Sequence, residues 1–338
     1  MKPQSKISVI VVCYNQENTI ARTLDSIIEQ KGCSPFEILV SDDCSQDNTI
    51  AIASKYEKLY PGIVKVHSNR ENLGVQANYF NAMRRAEGEY IADCAGDDFW
   101  CDPYKLKKEE TLLDMHPEVS MVHTGFDYIY PDGRKKRGFP KSEQKGYYIS
   151  KGQKIVEDTL CASGTPVVHL CTALYRKDPI VKAINDHPDI FLNPSHKCED
   201  MQVIVAAGCA GDIAFIPEST LCYSTGIPSI SSTENFSKAF DFYFSTTRLR
   251  LHLMRMFGIK SERATKTIRK YTDYVMSQAF HEGSAKNLHK LKAWMKKEDI
   301  PLSFKSHFYY SFGISPFRRF VSHILLSTRN IRHVAEEG

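Results

Sequence analysis

The run Ile7–Cys13 (ISVIVVC) constrains the fold more than any other segment. It is an almost unbroken apolar, β-branched stretch, the pattern of a strand covered on both faces, as in a parallel sheet. Ile20, Leu24, Ile27 and Ile28 follow at the spacing of one helical face. The unit then recurs. Phe36–Val40 reads as a second strand, and Asp47 sits where an N-cap belongs before Ile52, Tyr56 and Leu59. Ile63–Val66 is a third strand, and Val75, Tyr79, Ala82, Met83 and Ala86 make another apolar stripe. Gly88 ends that helix, and Tyr90–Cys94 is a fourth strand. Repeated strand–helix units imply right-handed crossovers and a mainly parallel sheet between helices, an α/β architecture. Such sheets bind ligands beyond the carboxyl ends of their strands, which directs attention to the residues after Cys13, Val40, Val66 and Cys94.

Further on the pattern changes. Val119–Tyr130 alternates like a strand before the turn Pro131-Asp132-Gly133, and Val167–Tyr175 and Asp212–Ile216 are further strand candidates. From Glu234 the chain reads as helical. Gly, Pro and Ser cluster between Gly226 and Ser232, so the expected domains are residues 1–228 and a helical region, 229–338. The 338 residues suffice for a sizeable core, and a net charge of +4 gives no ground for a nucleic-acid partner. The ten cysteines form no CxxC pair, which predicts reduced, buried thiols such as Cys13 and Cys94. The opening MKPQSK carries no signal-peptide pattern, and no apolar stretch reaches the ~20 residues of a membrane span. A cytoplasmic location is expected.

The strand ends are polar. Tyr14 follows the first, Asp42-Asp43 the second and Asp97-Asp98 the fourth. Adjacent carboxylates repel, so burying both without a partner is costly, and a divalent cation removes that cost. Oxygen ligands favour Mg2+ or Mn2+ over zinc. Each feature also has a plainer reading: a turn for each aspartate pair, a helix cap for Asp47, packing for Tyr14. A nucleotide-sugar gives them one purpose. Tyr14 would stack on the base, Asp42 would accept from the nucleoside, and a cation on Asp97 would meet the diphosphate. Neither a Walker A sequence nor GxGxxG is present.

The segments ISVIVVCYNQENTIARTLDSI, FEILVSDDCSQDNT, Asn72-Leu73-Gly74, GEYIADCAGDDFWCDPYKL, CEDMQVIVAAG and GDIAFIPESTLCYSTGIPSIS occur in this order over about two-thirds of the chain. Together they closely resemble the inverting family-2 glycosyltransferases of bacterial surface-polysaccharide type. The resemblance implies a GT-A nucleotide-sugar-binding fold and a hexosyltransferase-type reaction. It implies donor contacts from Tyr14, Asp42, Asp43, Asn72 and Asp98, a metal on Asp97, and Asp200 as general base. Trp100 and Glu199 would stand at the acceptor or behind it. Tyr223 lies in a segment that closes over the diphosphate in relatives. Two positions depart from the family pattern. Ala95 stands where an acid precedes the metal-holding aspartate by two, and Ser224 where an arginine follows the tyrosine. Asp93 is the nearest upstream acid, on the strand itself.

The expected reaction moves a sugar from a nucleoside diphosphate, with UDP favoured, to a hydroxyl of a glycan or lipid-linked acceptor. A weakly active nucleotide-sugar-binding homologue and a sugar nucleotidyltransferase are the rival readings. His123, His169 and His196 read as structural. Between Ile300 and Ala335 there is no acidic residue, while Lys305, Arg318, Arg319, Arg329 and Arg332 are basic. With Phe317, Phe320, Val321, Ile324 and Leu325 on one face, residues 316–332 would make a peripheral membrane contact or simply pack on the domain.

Overall fold

The computed structural model describes residues 6–139, 146–163, 167–225, 235–315, 317 and 321. The chain divides into two compact units, Met1–Ile227 and Pro228–Gly338. The first begins with the alternation its apolar runs dictate: β1 (Ile7–Cys13), α1 (Ile20–Ile28), β2 (Phe36–Asp42), α2 (Thr49–Leu59), β3 (Val64–Ser68), α3 (Val75–Arg85) and β4 (Tyr90–Asp93). The strand pair β5 (Phe99–Trp100) and the helix α4 (Lys105–Met115) follow. Next come β6 (Val119–Ile129), β7 (Lys135–Arg137), β8 (Tyr148–Ser150) and α5 (Gly152–Leu160). The unit ends with β9 (Ala173–Arg176), α6 (Lys177–Asp186), α7 (Pro188–Phe191), α8 (Asp200–Ala210) and β10 (Asp212–Ser224).

Among the described residues these strands form one sheet in the order β3-β2-β1-β4-β9-β6-β10-β5, with β7 on β6 and β8 on β10. The long pairings are parallel: β1 with β2 and β4, β2 with β3, and β6 with β10. β9 enters antiparallel between β4 and β6. The apolar residues of β1 are buried except Val12, which is half-buried, and its core neighbours include Leu24, Ile27, Ile38, Val40 and Tyr90. Burial of this kind contributes about 1.5–3 kcal/mol per large side chain and fixes the register that sets the strand ends side by side.

Several elements depart from the sequence reading. The helix after Asp47 starts at Thr49, one residue past Asn48, yet Asp47 does accept the Thr49 amide at 2.9 Å. Gly88 does not end α3, which stops at Arg85. A Cβ there would meet the Ser8 amide nitrogen at 2.6 Å, so close approach to β1 is what requires glycine. The expected strand Val167–Tyr175 exists only from Ala173. The Thr172 amide and hydroxyl both donate to the His169 carbonyl, at 2.9 and 2.6 Å, closing a tight turn where apolar pattern alone reads as extended. β10 runs on past Ile216 through Pro217 with a register shift, so the missing N–H bulges the strand instead of ending it. All ten cysteines are free, but Cys101 and Cys209 are exposed.

The second unit holds α9 (Phe236–Met256), α10 (Glu262–Glu282), α11 (Ala285–Lys297) and α12 (Phe304–Gly313). Phe240, Phe244, Val275, Met276, Phe280, Leu288 and Leu291 form its core. Asn235, Ser261, Ser284 and Ser303 each cap a helix by accepting the amide three residues on. The expected boundary cluster Gly226–Ser232 lies outside the described residues, as do residues 316–332 apart from 317 and 321. Among the described residues no helix is long and apolar enough to cross a membrane.

Candidate functional site

The parallel register brings the ends of β1, β2 and β4 to one edge of the sheet. At the β1 end the chain turns through Asn15, whose φ of 53° lies in the left-handed region that asparagine tolerates. The Asn15 amide donates to Ser45 Oγ at 2.8 Å, and Gln46 N–H donates to Asn15 Oδ1 at 2.8 Å, tying this turn to the one after β2. Tyr14 is left 46% exposed at that edge, free to offer a ring face to a ligand.

Asp42 has no accessible surface. Its Oδ2 accepts the Ser45 amide at 3.0 Å and the Ser68 hydroxyl at 2.8 Å, and its Oδ1 accepts the Ser45 hydroxyl. Asp43 is equally engaged: Oδ1 accepts from Leu73 N–H (2.9 Å) and Asn69 Nδ2 (3.0 Å), and Oδ2 from Gly74 N–H (2.9 Å). Gly74, with φ at 83° and open space around it, is needed for its backbone conformation alone. Asn72 is exposed and closes the turn by accepting the Gly74 amide at 3.2 Å. This acidic pair acts on loops.

The loop after β4 is built differently. Gly96 packs so tightly that a Cβ would meet Gln16 Oε1 at 2.3 Å and Cys13 Cβ at 2.9 Å. Its carbonyl accepts the hydroxyls of Thr19 (2.8 Å) and Thr23 (3.1 Å), fixing the loop on α1. The Asp97 carbonyl accepts Arg22 Nη2 at 3.0 Å and Ser224 Oγ at 2.5 Å, while its carboxylate takes a bond only from its own amide among the described residues. Asp98 Oδ1 accepts the Ser224 amide at 2.8 Å, but its Oδ2 is buried with no N–H or O–H partner. Burial raises both carboxyls above the usual range, and the Asp97 charge raises Asp98 further; Arg22 opposes both shifts.

Glu199 and Asp200 open α8. Both keep some accessible surface yet are densely surrounded by protein. Burial pushes Asp200 up to about 6, and burial with the Asp200 charge raises Glu199 well above the carboxylate range. Neither side chain caps the helix. Tyr223 joins the two acidic pairs. Its hydroxyl is raised first by burial, then by the charges of Asp98, Asp97 and Asp200, and its ring stands 4.7 Å from that of His169. Cys171 is also raised by burial and by Asp98 and Asp200. The charges of Asp97, Asp98 and Asp200 thus all act on the Tyr223 hydroxyl, and Ser224 beside it bonds both members of the aspartate pair.

Other expected residues lie elsewhere. Trp100 is a core residue, 4% exposed, with Nε1 donating to the Cys171 carbonyl at 3.1 Å, so it stands behind the site. Asp93 is enclosed in β4, accepts the Tyr175 hydroxyl at 2.8 Å and is pushed up to about 7 by burial. The Asp200 charge adds to that rise, and Asp93 in turn raises Glu199. His123 is buried against Phe215, its pKa lowered to about 3 by burial. Sequence reasoning missed Arg22 and Cys171. Arg22 lies off the apolar stripe of α1, and nothing local marks it.

Two carboxylates with raised pKa values and an orphaned buried oxygen suit a divalent cation. No group of three or more His, Cys, Asp or Glu that could hold a metal occurs among the described residues. Such a pair fits Mg2+ or Mn2+, which complete their shells with water and ligand oxygens, and not a closed structural site.

The sequence model of glycosyl transferase family 2 matches residues 8–182. An uncharacterized protein of Mycobacterium tuberculosis is 32% identical over 217 residues, 64% of this chain and 58% of its own length. This chain thus spans less than two-thirds of that relative. The poly(ribitol-phosphate) β-N-acetylglucosaminyltransferase TarS of Staphylococcus aureus is 34% identical over 139 residues, 40% of this chain and 23% of its own. The crystal structure of TarS 1–349 in complex with UDP matches with a TM-score of 0.58 at 20% identity, covering 93% of this chain and 91% of that one. The structure of GalNAc-T7 with UDP, GalNAc and Mn2+ matches with a TM-score of 0.53 at 14% identity, covering 96% and 58%. At these identities the structural likenesses establish the fold.

Proposed function

The chain belongs to glycosyl transferase family 2 and has the GT-A fold, and from that premise we propose that it transfers a sugar from a nucleoside diphosphate to an acceptor hydroxyl with inversion. One observation carries the reading: the under-bonded pair Asp97-Asp98 stands within electrostatic reach of the same tyrosine as Asp200. UDP is the nucleotide favoured, because TarS and GalNAc-T7 were solved with it.

Tyr14 receives the base at the exposed edge. Asp42, with no accessible surface, serves the donor through Ser45 and Ser68, and Asp43 and Asn72 hold the neighbouring loop in shape. Asp97, with Asp98 beside it, would hold Mg2+ or Mn2+, which when bound supplies positive charge against the diphosphate. Asp200 accepts the proton of the acceptor hydroxyl as that oxygen bonds to the anomeric carbon. The bond from that carbon to the diphosphate oxygen breaks, and the diphosphate departs with the electron pair. A base with a pKa of about 6 is ionised at neutral pH and retains useful basicity. Tyr223 and Ser224 close the side of the crevice next to the aspartate pair.

A glycan or lipid-linked acceptor is in keeping with the poly(ribitol-phosphate) acceptor in the name of TarS. The basic stretch after Ile300 supports a cytoplasmic enzyme working at the inner membrane face, testable by co-sedimentation with anionic liposomes. Ala95 favours a second reading, a nucleotide-sugar-binding protein with little turnover. Release of UDP from a panel of UDP-sugars, with and without oligosaccharide acceptors, separates them. Acceptor-dependent release supports transfer; binding without release supports the second reading.

A further inference from the structure

Asp97 and Asp98 stand side by side after β4 and the Asp200 charge reaches the same Tyr223 hydroxyl, yet on the proposed function this edge must admit a diphosphate that is itself anionic. Coulomb repulsion of that kind requires protein cations as well as a metal. Arg22 is such a cation: it bonds the Asp97 carbonyl, and its charge works against the rise of both carboxyls.

Arg22 is fixed on three sides although it is exposed. Nη2 donates to the Asp97 carbonyl at 3.0 Å and to Ser224 Oγ at 3.2 Å, and the guanidinium carbon lies 4.2 Å from the centre of the Phe99 ring. Stacking on an aromatic face orients the plane, and the two bonds set its rotation about that face. An exposed arginine ordinarily spends rotamer entropy on any contact it makes. Here most of that ordering has already occurred. Nε and Nη1 carry no hydrogen bond among the described residues, so part of the donor fork remains for an incoming ligand. Every parallel N–H pair of a guanidinium includes Nη2, which is engaged, so the groups left on Nε and Nη1 are single donors, each able to take one phosphate oxygen.

We propose that Arg22 is a donor-binding residue, its free guanidinium N–H groups taking diphosphate oxygens beside the Asp97-Asp98 loop. This rests on the nucleotide-sugar reading of the site and adds to it the protein's own counter-charge. The plain alternative is a strut that joins α1 to the loop and to the end of β10. A strut would act on stability or on all ligands alike; a phosphate contact acts on phosphate alone.

The test compares wild type with Arg22→Gln and Arg22→Lys. Affinity for UDP is measured by calorimetry with Mn2+ present, affinity for uridine by ligand-observed NMR, and melting temperature alongside. The proposal predicts that Arg22→Gln weakens UDP about 10- to 100-fold, the effect of losing charge-assisted hydrogen bonds, while uridine binding and melting temperature stay as in wild type. Arg22→Lys keeps the charge without the fork and gives an intermediate loss; it carries the test if Arg22→Gln does not fold. UDP affinity within twofold of wild type in both variants overturns the proposal, as does equal weakening of UDP and uridine. A wild-type chain that binds no UDP overturns the proposed function, and this inference with it.

Discussion

Two acidic pairs stand at the ends of the strands that flank β1, and the chain treats them in opposite ways. Asp42 and Asp43 are surrounded by donors: amides of Ser45, Leu73 and Gly74, hydroxyls of Ser45 and Ser68, and the Asn69 amide. Asp97 and Asp98 receive less: an Asp97 carboxylate with only its own amide, the Ser224 amide and the Cys171 thiol at Asp98, and an Asp98 Oδ2 that no N–H or O–H reaches. A buried carboxylate normally gathers donors because leaving it bare costs several kcal/mol. The first pair follows that rule and sets loop shape. In the second, Asp97 is half-buried and open to solvent, and it is the buried Asp98 Oδ2 that departs from the rule. The same Asp-Asp spelling in sequence thus covers one pair whose oxygens are satisfied by the protein and one that is left an oxygen short.

Substitutions sharpen the contrast, and the largest effect belongs to the under-bonded side. Asp200→Asn removes the base, and kcat should fall about a thousandfold with UDP affinity nearly unchanged, read by UDP release and calorimetry. Full turnover by that variant removes Asp200 from the mechanism. Asp97→Asn should lower kcat/KM about a hundredfold and weaken Mn2+ binding while leaving the melting temperature near wild type or slightly higher, since a repulsive charge goes. On the saturated side, Asp43→Ala should cost about 2–4 kcal/mol in denaturant unfolding, because it strands the Leu73 and Gly74 amides. If Asp43→Ala left stability intact and abolished only turnover, the division between the two pairs would collapse.

The pH dependence gives the smallest and most graded effect. Asp200 must be ionised to accept a proton, so kcat/KM should fall about tenfold per pH unit below about 6 and level off above it. Stability runs the other way. With folded values raised for Asp200 (about 6) and Asp93 (about 7), the native state binds more protons than the unfolded one from about pH 4 to 7. Stability is therefore greatest below the unfolded value and is lost as pH rises through the folded ones. Asp93→Asn should flatten the upper part of that slope in melting curves taken from pH 4 to 8.

Much of the first unit was legible because burial on both faces writes itself into sequence. β1 ran as read from Ile7 to Cys13, and β2 exceeded its expected Phe36–Val40 by two residues. The α/β class and the family followed from this pattern and its polar strand ends. Long-range contacts were not legible. The turn at Leu170–Thr172 depends on bonds to His169, and it is this turn that sets Cys171 against Trp100 and Ala95. Arg22 reads as an ordinary surface residue until Phe99 and Ser224 are placed beside it. The bonds that Asp42 accepts from Ser45 and Ser68 are likewise something a pattern of residue types does not reveal.

On the proposed function, Asp97 and Asp98 would hold a divalent cation that offsets the charge of the donor's diphosphate. Calorimetric titration of UDP into wild type and Asp97→Asn, each with Mn2+ and with chelator, addresses it most directly. The account predicts UDP binding that needs Mn2+ in wild type and loses that dependence, with most of its affinity, in the variant. UDP affinity that is the same with metal or chelator, and the same in both proteins, would contradict it.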